Sequence, residues 1–110
     1  MNRPLRIAQQ LYRDLHKALE YLDEHADESV VARFAATVAS TRAHIRTFPD
    51  SGNSHYSSVL ETVELRMFPV TKFPYYLVFY ISGSDEVVLV RLLHGMRDLT
   101  TELEALDTSE

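Results

Sequence analysis

Three polar residues near predicted strands are the first candidates for chemistry: Arg66, His94 and Arg97. His94 follows the apolar run Glu86–Leu93, within the segment VRLLHGMRD, and Gly95 after it allows the chain to turn sharply. A histidine at a strand end can act as a general acid or base near neutral pH. Arginines can hold phosphates or stabilise a developing negative charge. Together the three residues could cleave RNA through attack by the 2′-hydroxyl, with no metal.

Each of these residues also has a structural interpretation. A histidine at a strand end more often hydrogen-bonds a local carbonyl group than takes part in catalysis. Arg97, next to Asp98, can mark the start of a helix. Arg66 on a strand suits a salt bridge with one of three nearby acids, Glu64, Asp85 or Glu86. The neighbouring aromatic residues are expected to be core or near-core residues with a hydrogen-bonded hydroxyl: Tyr75, Tyr76 and Tyr80.

Other reactive sites are not indicated. The remaining histidines show no metal-ligand spacing: His16, His25, His44 and His55. The three glycines lie too far apart for a phosphate-binding loop, and no GxSxG nucleophile motif occurs. The chain has no cysteine, which excludes disulfides and thiolate ligands. We therefore expect no metal and no cofactor.

Composition narrows the class of protein. The chain has 110 residues, which suits one domain over residues 1–110. Its formal net charge is −5, whereas nonspecific nucleic-acid binders are usually basic. No apolar run approaches the ~20 residues that span a bilayer, and the N-terminal stretch lacks the apolar region of a signal peptide. We expect a cytoplasmic protein with no membrane partner and no direct nonspecific binding to nucleic acid.

Hydrophobic periodicity predicts the elements that carry these residues. A short strand at Leu5–Ala8 precedes helices at about Gln10–Glu24 and Ser29–Thr47, each with one apolar stripe. The stripe of the second helix is Val31, Phe34, Ala35, Val38 and Ile45. Phe48–Ser58 reads as a loop. Three strands follow, at Val63–Pro69, Tyr75–Ile81 and Glu86–Leu93, and Asp98 could cap a final short helix.

This order predicts an α+β fold: an antiparallel helical hairpin on one face of a three-stranded antiparallel meander, with a short N-terminal strand. The last two strands are apolar on both faces, so the second face is covered by the tail or a partner, or is left as an apolar floor. Strand alternation places Arg66 opposite Leu65 and Met67, and Arg91 with Val87 and Leu89. It places His94 with Val88, Val90 and Leu92.

The acidic residues of the first helix and the turn after it are expected to form a solvated face: Asp14, Glu20, Asp23, Glu24, Asp27 and Glu28. Charged residues on one side of an amphipathic helix hairpin usually face water.

The series of motifs resembles the ParE/RelE superfamily of bacterial type II toxins, or plasmid-stabilisation proteins. The motifs are ARF in the second helix, FPDSG after it, LR at Leu65-Arg66, YYLVFY, and VVLVRLLHGMRD. The resemblance covers almost the whole chain. The Leu-His-Gly-x-Arg-Asp ending is more similar to the ParE branch than to the messenger-cleaving RelE branch.

The resemblance implies a toxin neutralised by a cognate antitoxin. ParE-like members bind a protein target, DNA gyrase, and act without catalysis, whereas RelE-like members cleave messenger RNA on the ribosome. An inactive interaction domain of the same fold is a third alternative. By position, the motif and contact-surface residues are Arg66, Tyr80, Arg91, His94 and Arg97. In the nuclease alternative His94, Arg66 and Arg97 would be catalytic.

Overall fold

A computed structural model describes residues 3–59 and 63–106 of the chain. In chain order the elements are β1 (Leu5–Ile7), α1 (Gln9–His25), α2 (Glu28–Thr47), a 3₁₀ turn (Ser57–Val59), β2 (Leu65–Val70), β3 (Phe73–Ser82), β4 (Val87–His94) and α3 (Leu99–Glu104). This order confirms the predicted α+β fold. Most predicted boundaries lie within two residues of the observed ones.

The four strands form one sheet in the order β1-β4-β3-β2. β1 pairs with β4 in parallel, while β2, β3 and β4 form the predicted antiparallel meander. α1 and α2 cover one face, where Leu11, Phe34 and Ile45 join the inward-facing residues of the strands. The apolar stripe of α2 differs from the prediction at two positions, since Ala35 is exposed and Thr41 is buried. Thr41 is accommodated because its hydroxyl donates to the carbonyl oxygen of Thr37.

The C-terminal segment covers the second face of the sheet. Leu99 and Leu103 of α3 are buried against Phe79 and Leu93, and Tyr56 packs beside them. The sequence allowed three possibilities for this face: the tail, a partner, or an apolar floor. In the structure the C-terminal tail covers it. The last four residues of the predicted tail, 107–110, lie outside the described part of the chain.

A β-bulge in β4 changes the predicted faces of its second half. Phe79 pairs with Arg91 and Tyr80 pairs with Leu89, so Val90 is an extra residue with no partner in β3. Val90 lies with Val88 on the α3 face. The predicted grouping of Arg91 with Val87 and Leu89 is therefore wrong, because Arg91 lies opposite Phe79, on the α3 side.

The same bulge also changes which residues share a face with His94. His94 pairs with Tyr76, which belongs to the helix-side core. It therefore shares a face with Leu92, as predicted, but not with Val88 and Val90. Strict alternation cannot foresee this, because one inserted residue reverses the direction of every side chain after it.

β2 also departs from its prediction. Val63 precedes the strand, and Pro69 lies within it instead of ending it. Proline is tolerated there because β2 is an edge strand, so Pro69 needs no N–H group for the sheet, and the register shifts directly after it. The turn to β3 contains Lys72, a non-glycine residue with a positive φ of 69°.

Candidate functional site

A groove of about 470 Å³ lies between α1 and the C-terminal end of β4. His94, Met96 and Arg97 line it from the strand end, and Lys17 and Tyr21 line it from α1. Its rim is apolar and exposed: the exposed fraction is 55% for Tyr21 and 85% for Met96. We refer to these five residues, with Tyr75 and Tyr76, as the His94 groove.

Two aromatic rings hold the imidazole of His94. The ring of Tyr76 meets it edge-on with centroids 5.0 Å apart, and the ring of Tyr75 lies nearly parallel to it at 6.2 Å. The backbone N–H of Met96 donates to His94 Nδ1 over 3.1 Å. Since Nδ1 accepts this hydrogen bond, the neutral ring carries its proton on Nε2. Any proton transfer by His94 would have to use Nε2.

The groove is positively charged. Arg97 Nη1 donates to Glu102 Oε1 over 3.0 Å, yet half of its side chain is exposed. Lys17 forms no ion pair with any of the described residues. The carboxylate that borders the groove, Asp14, is already engaged by Arg91. The groove can therefore receive an apolar group together with a negative charge.

Arg91 and Asp14 form a buried ion pair at the edge of β4. The Arg91 Nε donates to Asp14 Oδ2 over 2.7 Å, and Nη2 donates to Asp14 Oδ1 over 3.1 Å. Asp14 Oδ2 also accepts the backbone N–H of Leu92 over 3.0 Å. β1 pairs only with residues 87–89, so this N–H has no strand partner and the carboxylate takes that place. The predicted solvated position of Asp14 is wrong, since only 7% of the residue is exposed.

The same arginine also holds α3. Its Nη2 lies 3.2 Å from Glu102 Oε2. Burial opposes the charge of Arg91, but the hydrogen bonds and charge of Asp14, aided by Glu102, outweigh it and raise the pKa of the guanidinium. Arg91 therefore joins α1, β4 and α3 inside the molecule, whereas the sequence placed it on a contact surface.

Tyr80 and Arg66 anchor the loop after α2. The Tyr80 hydroxyl donates to the Pro49 carbonyl over 2.7 Å and accepts the Gly52 N–H over 2.9 Å. Arg66 Nη1 donates to the carbonyl oxygens of Asp50 and Gly52. Tyr80 is fully buried, and burial is the main cause that raises the pKa of its hydroxyl. Tyr80 is thus the core residue with a hydrogen-bonded hydroxyl that its structural interpretation predicted, and it fixes the FPDSG loop from the interior.

Arg66 also pairs with Glu64, one of the three acids predicted for it. Arg66 lies opposite Tyr80, while His94 lies opposite Tyr76 on the other side of β3. At about 3.3 Å per residue and 4.8 Å per strand, their backbones are roughly 16 Å apart. The structure brings His94 and Arg97 together but separates both from Arg66. These three residues do not converge on one phosphate group.

Three residues of the groove were not predicted from the sequence. They are Lys17, Tyr21 and Met96. The signal for the first two was present, since they are one turn apart on α1 and off its apolar stripe. Gly95 was assigned a sharp turn, but none of the described glycines has a positive φ, so this turn does not require glycine.

Within the described ranges, no group of three or more His, Cys, Asp or Glu side chains is placed to hold a metal ion. No helix in the described part of the chain is long and apolar enough to cross a membrane.

Comparison with known proteins decides the family. A family model described as "ParE toxin of type II toxin-antitoxin system, parDE" matches residues 5–99. The chain belongs to the ParE toxin family. It is thus a toxin of the type II toxin–antitoxin class, as its motifs indicated. No protein of curated function matches the chain.

A solved structure supports the ParE fold. A chain titled "Chromosomal ParDE TA system from P. aeruginosa" superposes with a TM-score of 0.68 at 9% sequence identity. The match covers 84% of the present chain and 95% of that chain. At this identity the likeness concerns the fold alone.

Proposed function

We propose that this ParE-family toxin acts by binding a protein target, DNA gyrase, and that a cognate antitoxin neutralises it. The family match over residues 5–99 carries the proposal. Two observations on the surface are consistent with binding. Met96 lines the His94 groove and is 85% exposed, and Tyr75, whose ring faces that of His94, is 72% exposed. Large exposed apolar side chains beside cations suit a protein interface.

The contact surface that we propose is the His94 groove, with His94 and Arg97 as its polar members. Arg66 lies at a distance and supports the FPDSG loop, while Tyr80 and Arg91 act from the interior by fixing that loop and α3. The target would then place an apolar side chain between Tyr75 and Met96 and a carboxylate near Lys17 or Arg97.

The purified toxin should inhibit supercoiling of a relaxed plasmid by gyrase, and the antitoxin should restore it. A Tyr75→Ala/Met96→Ala variant should need at least about tenfold more protein for the same inhibition, because truncating exposed anchors removes the main binding contacts. Phe48→Ala is the matched control, since Phe48 is also large, apolar and 57% exposed but lies outside the groove. Full supercoiling at excess wild-type toxin would contradict the gyrase proposal.

The rival function is a ribosome-dependent messenger nuclease, for which the pairing of His94 with Arg97 is the one favourable observation. We expect wild-type toxin to leave messenger RNA intact in a translation extract, because Arg66 is too distant to complete the site. Primer extension on the extracted messenger measures this. Cleavage that His94→Ala abolishes and His55→Ala, at an exposed histidine elsewhere, preserves would replace the gyrase proposal with the nuclease.

A further inference from the structure

Met96 has the most exposed large apolar side chain in the described part of the chain, at 85%. It lies in the turn after β4, which is closed by a hydrogen bond from the Arg97 N–H to the His94 carbonyl over 3.1 Å. Its own backbone N–H is fixed by the bond to His94 Nδ1. The fold therefore holds the backbone of Met96 in place and presents its sulfur atom to solutes in the surrounding water.

Few other sulfur atoms compete for an oxidant. The chain has three methionines and no cysteine, so it contains no thiol. Met67 lies in β2, half-buried on the α3 face of the sheet, and its backbone N–H and C=O both pair with Asn53. Met1 lies outside the described residues. Exposure favours oxidation of a sulfur atom, so Met96 is the more reactive of the two described methionines.

Oxidation would change what the His94 groove offers to a partner. Methionine presents an apolar surface, whereas methionine sulfoxide carries a polar oxygen that accepts hydrogen bonds. Lys17 and Arg97 line the same groove as Met96 and are donors. The sulfoxide oxygen would thus supply these cations with an acceptor from the chain itself, and a partner's apolar side chain would have to desolvate it. Both effects oppose the binding of a group that is apolar and negatively charged.

We propose that Met96 is a modification site at which a peroxide oxidises the thioether to the sulfoxide and thereby weakens target binding; the effect on binding rests on the gyrase proposal above. With hydrogen peroxide, a lone pair of the Met96 sulfur attacks one oxygen, so that an S–O bond forms as the O–O bond breaks. The proton of the transferred hydroxyl passes to the leaving hydroxide, which departs as water. The sulfur is oxidised and the peroxide is reduced. Methionine sulfoxide reductases reverse this step, so the modification is reversible.

The two described methionines should respond to oxidation in different ways. The side chain of Met96 faces water, so an added oxygen there leaves the core intact. Met67 packs against the core that contains Leu65 and Phe79, so an added oxygen there should lower stability. A loss of binding without a loss of stability therefore identifies Met96 as the responsible residue.

The test treats full-length toxin with hydrogen peroxide and measures its inhibition of gyrase supercoiling. Mass spectrometry of proteolytic peptides should find the added oxygen at Met96 before Met67. The oxidised toxin should need about tenfold more protein for half-maximal inhibition, because one polar group must be desolvated at the interface. Treatment with methionine sulfoxide reductases for both epimers should restore the inhibition of the untreated toxin.

Met96→Leu is the matched control, because leucine is similar in volume to methionine, has no sulfur to oxidise and leaves Met1 and Met67 in place. Whatever the potency of this variant, the same peroxide treatment should change it by less than about twofold. Urea denaturation should show that oxidation shifts the unfolding midpoint equally in the wild type and the variant.

Full potency of wild-type toxin whose Met96 carries the oxygen would overturn the inference and leave the gyrase proposal standing. An equal loss of potency in Met96→Leu, or a larger shift of the unfolding midpoint in the wild type than in the variant, would assign the loss to another residue or to unfolding and also overturn it. Faster oxidation of Met67 than of Met96 would do the same. Absence of inhibition by untreated toxin would overturn the gyrase proposal together with the effect of oxidation on binding.

Discussion

Replacement of Asp14 with alanine should lower the free energy of unfolding by about 3–5 kcal/mol, because it leaves the Arg91 guanidinium buried without its main partner. The substitution also removes the acceptor of the Leu92 N–H at the unpaired edge of β4. A guanidinium keeps its proton in proteins, so the arginine cannot escape the cost by becoming neutral. Urea denaturation followed by circular dichroism measures the loss.

Asp23→Ala is the matched control for this prediction. Asp23 lies on the same helix but is exposed, so its loss should change stability by less than about 0.5 kcal/mol. An Asp14→Ala/Arg91→Met variant should recover at least about 1 kcal/mol of the loss, since it removes the unpaired charge and leaves an apolar side chain. Equal stability of Asp14→Ala and Asp23→Ala would show that the buried pair does not hold the fold.

The loop between α2 and β2 contributes to stability through a different contact, the close approach of Gly52 to Tyr80. Gly52→Ala should destabilise the protein by about 3 kcal/mol, because a Cβ atom at Gly52 would overlap the ring and hydroxyl of Tyr80. Tyr80 is fully buried and cannot move aside, and any shift breaks its hydrogen bonds to Pro49 and Gly52. The same urea titration measures this loss.

Gly95→Ala is the control for Gly52→Ala. A Cβ atom at Gly95 would meet the Tyr75 carbonyl at 3.5 Å and Leu77 at 3.8 Å, which are ordinary contacts. Its cost should stay below about 1 kcal/mol. If Gly52→Ala were no worse than Gly95→Ala, the FPDSG loop would not depend on its close approach to Tyr80.

The first of these predictions bears on function because the Asp14 contact positions the proposed surface. Asp14 borders the His94 groove, and its partner Arg91 binds the Glu102 carboxylate that also holds Arg97. A chain that lacks Asp14 should therefore lose order at Arg97 before it unfolds completely. Interior residues of the toxin thereby control residues at its surface.

The element order and the family motifs were readable from the sequence because each depends on local patterns. Apolar spacing of 3.6 residues predicted α1 and α2, and alternation predicted β2 to β4. The Leu-His-Gly-x-Arg-Asp ending indicated the ParE family, which the family match confirmed. The pairing of Arg66 with Glu64 was also among the predicted alternatives.

The roles of single residues were less accessible, because they depend on contacts between distant parts of the chain. Asp14 and Arg91 are 77 residues apart in sequence, and Asp14 looked like any other acid on an exposed helix face. Tyr80 reaches 31 residues back to Pro49. The bulge at Val90 is invisible in an apolar run, because either face would accept a valine.

Local patterns were sufficient to predict the α+β fold class, the helical hairpin, the meander and the toxin family, since periodicity, turn residues and ordered motifs are local properties. Long-range packing was needed to show that α3 covers the second face, that Arg91 lies inside, and that His94 lies apart from Arg66. The physical reason is that a side chain's environment depends on strand register and on which charges meet in the core. The one extra residue in β4, Val90, changed the faces on which Arg91 and His94 lie.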